Sequence, residues 1–138
     1  MKRIINVGAA ISLLGASLML AAPALAHSKG CSLATFQGSY GATITGTAGG
    51  LPFAELDLVS ADGKGDVSGS GTESYNGVIT PVTFTFTYTL ADDCEGSAVF
   101  SNGVTQTFII TTDGSDIQFI ATNNPAAQIV GHAKQLAN

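Results

Sequence analysis

The residues that could do chemistry are few in this sequence and lie far apart. Its two histidines, His27 and His132, stand near opposite ends of the part that folds, and the cysteines, Cys31 and Cys94, are 63 residues apart. A Ser-His-Asp relay would have to recruit one of those histidines, and Ser39-Tyr40-Gly41 lacks the glycine frame of a nucleophile elbow. Glycoside hydrolysis needs two carboxylates facing each other across a cleft. Glu55 and Asp57 are instead two apart on one strand face, where a solvated outer surface is the expectation. Asp62-Gly63-Lys64-Gly65-Asp66 has part of the spacing of a calcium loop but neither its third acidic position nor its closing glutamate, so it reads as a hairpin turn. No glycine loop leads into a helix that could cradle phosphate. One metal arrangement is conceivable. If the chain is cut after Ala26, the amine and imidazole of His27 could chelate Cu(II), with His132 as the one candidate for a third nitrogen. A terminal histidine without a ligand is the plainer reading, and no catalytic residue, resident metal or cofactor is expected.

That cut follows from the first 26 residues. Lys2-Arg3 is a short basic head, residues 4–20 are almost uninterrupted apolar residues, and Ala24-Leu25-Ala26 is the small-x-small pattern read by signal peptidase. Residues 1–26 are thus expected to be a cleaved signal peptide of the Sec type, and residues 27–138 a single domain in the periplasm or outside the cell. Cleavage leaves three lysines against ten carboxylates, a formal charge of −7. Nucleic-acid binding and docking on anionic lipid both need clustered Lys and Arg, so both are disfavoured. No later apolar run is long enough for a membrane span, and the short strands and Leu136-Ala137-Asn138 ending do not suggest an outer-membrane barrel. Cys31 and Cys94 both fall in the exported part. An even pair in a small domain in an oxidising space is expected to form a disulfide, and there is no Cys-x-x-Cys to suggest redox work.

The elements that would position these residues are strands. In Val82-Thr83-Phe84-Thr85-Phe86-Thr87-Tyr88-Thr89-Leu90 every even position is large and apolar and every odd one is threonine, the period-two pattern of a strand with one buried and one wet face. The stretch from Phe36 to Thr45 alternates in the same way, and 51–60, 66–74, 97–101, 104–112, 116–122 and 128–134 make eight strands in all. Asn76-Gly77, Asn102-Gly103 and Asp113-Gly114 suit type I′ turns, while 62–65 and 92–96 suit longer loops with a left-handed glycine. Short turns make sequential strands antiparallel neighbours. Eight of them form an up-and-down meander that loses its free edges by closing into a barrel, and a two-sheet sandwich is the alternative. The glycines of Ser68-Gly69-Ser70-Gly71 then mark a bend or a close approach.

A closed barrel of this size either fills its interior or keeps room for one small ligand. The residues expected to line such a cavity are Tyr40, Phe84, Phe86, Tyr88, Gln106, Phe108 and Phe119, with Tyr40, Tyr88 and Gln106 as the polar groups that would orient a ligand.

Several motifs carry a family resemblance. They are Cys31-x4-Phe36-x-Gly38-Ser39-Tyr40-Gly41, Asp62-Gly63-Lys64-Gly65-Asp66-Val67-Ser68-Gly69 and Asp93-Cys94-Glu95-Gly96. Two more are Asp113-Gly114-x-x-Ile117-x-Phe119-Ile120-x-Thr122 and Val130-Gly131-x-Ala133-Lys134-Gln135. As a set spanning nearly all of residues 27–138, they resemble a group of small secreted bacterial proteins without established function, whose fold is similar to the allene oxide cyclase or lipocalin-type barrel. The resemblance implies a small antiparallel barrel with a disulfide and carries no catalytic residue over. The expected function is uptake of a small apolar molecule. The alternatives are a cyclase or isomerase in the same cavity, and a surface or matrix protein that assembles through the threonine-rich strand.

Overall fold

A computed structural model describes residues 30–137; residues 1–26, expected to be a signal peptide, and His27 lie outside them. Eight strands follow a single 3-10 turn at Leu33–Thr35: β1 Gln37–Ala48, β2 Leu51–Asp62, β3 Asp66–Tyr75, β4 Val78–Leu90, β5 Glu95–Phe100, β6 Thr105–Ile110, β7 Asp116–Ala121 and β8 Ala127–Gln135. Each pairs antiparallel with the next, and β8 returns to β1 from Tyr40↔Gln135 to Ala48↔Ala127, so the sheet is a closed barrel and not a sandwich. Among the described residues no helix is long and apolar enough to cross a membrane.

Two of the turns follow the sequence in a different form from that expected. Asn76 and Gly77 both have positive φ, as a type I′ turn requires, and Gly49-Gly50 does the same between β1 and β2. At Asn102-Gly103 and Asp113-Gly114 only the glycine is left-handed. The Gly103 amide donates to the carbonyl of Phe100 and the Phe100 amide to that of Val104, which gives a three-residue loop with a bulged glycine. The Gly114 amide instead donates to the carbonyl of Thr111 inside a longer loop that the Thr111 amide closes on the carbonyl of Asp116. The loop at Asp62 is the hairpin turn expected, because one Asp62 carboxylate oxygen accepts from the amides of Lys64, Gly65 and Asp66.

The two ends of the barrel differ. At one, residues 31–36 fold under the strands as a plug. The Cys31–Cys94 disulfide ties this segment to the β4–β5 loop, and the Cys31 amide donates to the carbonyl of Asp92. Phe36 stands at the centre, with ring centroids 4.9 Å from Tyr88, 5.2 Å from Tyr40 and 5.8 Å from Phe108. The other end carries the β1–β2, β3–β4, β5–β6 and β7–β8 turns and has an uneven rim. Strands β1 to β4 are long and β5 to β7 short, so residues 78–84 of β4 pair with β3 alone. Pro81 removes a backbone donor from that lip, while Phe86 and Thr87 are paired on both sides and Tyr88 to Leu90 pair with β5. Only part of the threonine-rich segment is therefore an edge of the kind that assembly through it would use.

Glycines inside the strands receive side chains from their neighbours. The ring of Phe84 lies over Gly69, that of Phe108 over Gly96 and that of Phe119 over Gly131, each against its own cross-strand partner. A Cβ at any of the three would meet the ring, so the bare backbone is what lets a phenyl lie flat against the sheet. Gly71 completes the series with a difference: what lies over it is the carboxylate of Asp57, its partner on β2.

Candidate functional site

The barrel encloses a cavity of about 410 Å³ above the plug. Of the residues expected to line it, Phe84, Phe86, Gln106, Phe108 and Phe119 do so. Tyr40 and Tyr88 are placed elsewhere, below the cavity in the plugged end. The Tyr40 side chain is 0% exposed and donates to the carbonyl of Gly114 at 2.8 Å; the Tyr88 hydroxyl donates to the carbonyl oxygens of Leu33 and Phe36, 2.8 and 3.0 Å away. Burial pushes both phenols up, that of Tyr88 to about 12 with help from the charge of Asp62. Both stay protonated; Tyr88 holds the plug to β4, and Tyr40 ties β1 to the β6–β7 loop. Cys31 and Cys94 form the disulfide and take no part in the cavity.

Gln106 is the expected polar group that faces the cavity, and two acids expected on the outer surface, Glu55 and Asp57, face it as well. Strand β2 runs Phe53-Ala54-Glu55-Leu56-Asp57-Leu58-Val59, and its two faces are the reverse of the hydrophobic assignment. Glu55 and Asp57 point inward, whereas Leu56 and Leu58 are 64% and 56% exposed. The phase is set at the strand's ends, where Phe53, Val59 and Ala61 share the face of the two acids and are drawn into the interior. A period of two then carries Glu55 and Asp57 in with them. Glu73 faces Glu55 from β3 and also lines the cavity. The expectation of a solvated acidic face is therefore corrected to an acidic patch inside the barrel.

Desolvation acts strongly on this patch. Burial, then the charge of Asp57, a proton shared with it, and Glu73 push the Glu55 carboxyl up to about 7. Asp57 is also raised, by burial. Folded protein thus holds a proton on Glu55 that the unfolded chain releases above about pH 4.5. Its contribution to stability is complete on the acid side and is lost as pH rises towards about 7. Glu55→Gln is expected to remove that loss and to be more stable than the parent at pH 8 by about 1–2 kcal/mol, less than the full shift because water reaches the cavity. Urea denaturation of both proteins at pH 5 and pH 8 measures it, and an equal difference at the two pH values would show that the carboxyl is not buried as described.

His132, the proposed third copper nitrogen, projects from the outside of β8. Its Nε2 lies 2.9 and 3.0 Å from the two carboxylate oxygens of Asp116. Among the described residues no group of three His, Cys, Asp or Glu side chains could hold a metal ion. Compared with protein-family models, with curated proteins and with solved structures, the chain has no match.

Proposed function

We propose that this barrel takes up one small, mainly apolar molecule in its interior and that the protein is exported to an oxidising compartment. The observation that carries the first part is the cavity itself, with aromatic walls from Phe84, Phe86, Phe100, Phe108 and Phe119. Those rings are held in place by glycines and by the plug, so the space is preformed and binding costs little ordering. The disulfide supports the second part, as do the basic head and apolar run at the start of the sequence.

An apolar fluorescent probe is expected to bind the folded protein with a stoichiometry near one. Ala42 tests where it sits. This residue lines the cavity between Asp57 and Ala133, its cross-strand neighbours, and Ala42→Phe fills the space with a ring. Loss of probe binding with unchanged β-type circular dichroism and unchanged stability is the expected result. A filled core would respond differently, losing roughly 1–3 kcal/mol through overpacking in a protein that never bound the probe. The carboxyl pair inside an apolar cavity favours a second reading, a cyclase or isomerase that moves a proton through Glu55. Turnover of a bound polyunsaturated or epoxide compound, abolished in Glu55→Gln with binding kept, would establish it.

A further inference from the structure

The acidic patch narrows what the ligand must be. Asp57 is 8% exposed, and its Oδ1 is buried with no hydrogen-bond partner in the protein. A buried acceptor left unpaired is costly, and native structures rarely keep one without a purpose. The row of cross-strand partners through it is Ala133, Ala42, Asp57, Gly71 and Val82, so its immediate neighbours on both sides are small and leave room beside the carboxyl. The next row sets Glu55 between Ile44 and Glu73.

Among the described residues no basic side chain offsets these three carboxyls. Of the described residues that can carry positive charge, Lys64 sits in the β2–β3 loop at the plugged end, His132 pairs with Asp116 outside, and Lys134 is exposed on β8. None lines the cavity. An uncompensated negative potential inside low-dielectric walls attracts a cation. A bare metal ion does not suit it, because the acids do not form a set that could hold one. Apart from the uncharged Thr83, Asn102, Gln106 and Asn124, the rest of the wall is apolar.

We propose that the ligand is an amphiphile with a protonated amine on an apolar body, and that Asp57, with Glu55 and Glu73, is the subsite that receives the amine. This rests on the reading of the barrel as a binder and adds the ligand's chemical class. The ammonium N–H supplies the donor that Asp57 Oδ1 lacks, and the aromatic wall takes the body. Glu55 is faced by Asp57 on its own strand, by Glu73 on β3 and by uncharged Ile44 on β1, so its shared proton must leave when the cation arrives. Amine binding therefore releases a proton and strengthens as pH rises from 5.5 to 8.

Three probes with one body test this: 1-naphthylmethylamine, 1-naphthylmethanol and 1-naphthoate, titrated calorimetrically into the disulfide-bonded protein. At pH 8 the amine is expected to bind roughly tenfold to a hundredfold tighter than the alcohol, with the carboxylate weakest. The preference shrinks at pH 5.5, and heats in two buffers of different ionisation enthalpy report the released proton. Asp57→Asn should bring the amine down to the alcohol's affinity while leaving the alcohol unchanged. Alcohol and amine binding alike at pH 8, or an amine preference that survives Asp57→Asn, overturns the amine subsite and leaves the apolar binder standing. Binding of none of the three overturns both. Should Asp57→Asn not fold, the parent protein's ranking of the three probes decides alone.

Discussion

Phe108→Ala is expected to destabilise the barrel by about 3–5 kcal/mol, through lost transfer free energy and a void that cannot close. Phe108 is 4% exposed, lies over Gly96 and packs edge-on to Phe36 and Tyr88. Its niche has no side chain from Gly96 to move into the gap. The backbone around it belongs to a closed sheet, whose strands cannot approach one another without breaking pairing elsewhere. The vacated space also opens into the cavity above, so collapse is blocked on that side too. Ile109→Ala is the control, since Ile109 is next in sequence, equally apolar and exposed on the outer face. It should cost about 1 kcal/mol or less. Urea denaturation of both variants gives the comparison, and an Ile109 variant as damaged as the Phe108 one would mean that the inner and outer faces of β6 have been exchanged.

Removal of the disulfide is expected to cost a similar amount, about 2–5 kcal/mol. The bridge closes a loop across a sequence separation of 63 residues, for which the chain-entropy picture gives roughly 4 kcal/mol. It also holds the plug in place: without it, Leu33 and Phe36 keep the Tyr88 hydroxyl but lose their covalent anchor to the β4–β5 loop. Cys31→Ala and Cys94→Ala should behave alike if the bridge is what matters. Cys94 has a φ of 71°, strained for either residue, so Cys94→Gly should recover roughly 1 kcal/mol that Cys31→Ala does not. The bridge should be complete in protein recovered from the producing cell. Two alkylatable thiols there, or a loss below 1 kcal/mol in both alanine variants, would remove its assigned role and the argument for export together.

Most of the frame was legible because period-two patterns and turn residues act locally. The eight strands lie within a few residues of their expected positions, and Asn76-Gly77 made the turn that its residue types demand. Closure was an inference from edge avoidance, and pairing of β8 with β1 confirms it. The acidic patch was not legible in the same way. In β2 the alternation offers two faces, one with Leu56 and Leu58 and one with Glu55 and Asp57, and hydrophobicity counted over the middle of the strand picks the wrong one. The signal lay at its ends, in Phe53, Val59 and Ala61, and in the opposing glycine at position 71. Tyr40 and Tyr88 show the complementary limit. Their faces were read correctly, but their depth depends on a plug whose position no strand pattern describes.

The pairing of large side chains with bare glycines has an evolutionary consequence. Phe84, Phe108 and Phe119 occupy three equivalent niches, and Asp57 over Gly71 occupies a fourth of the same shape. What the frame requires there is a flat group that covers the backbone; whether that group is a hydrocarbon or an acid is left free. A codon change at such a niche alters what the interior recognises without redrawing the strands around it. A lineage of these barrels could thus exchange one ligand class for another along a path on which every intermediate still folds.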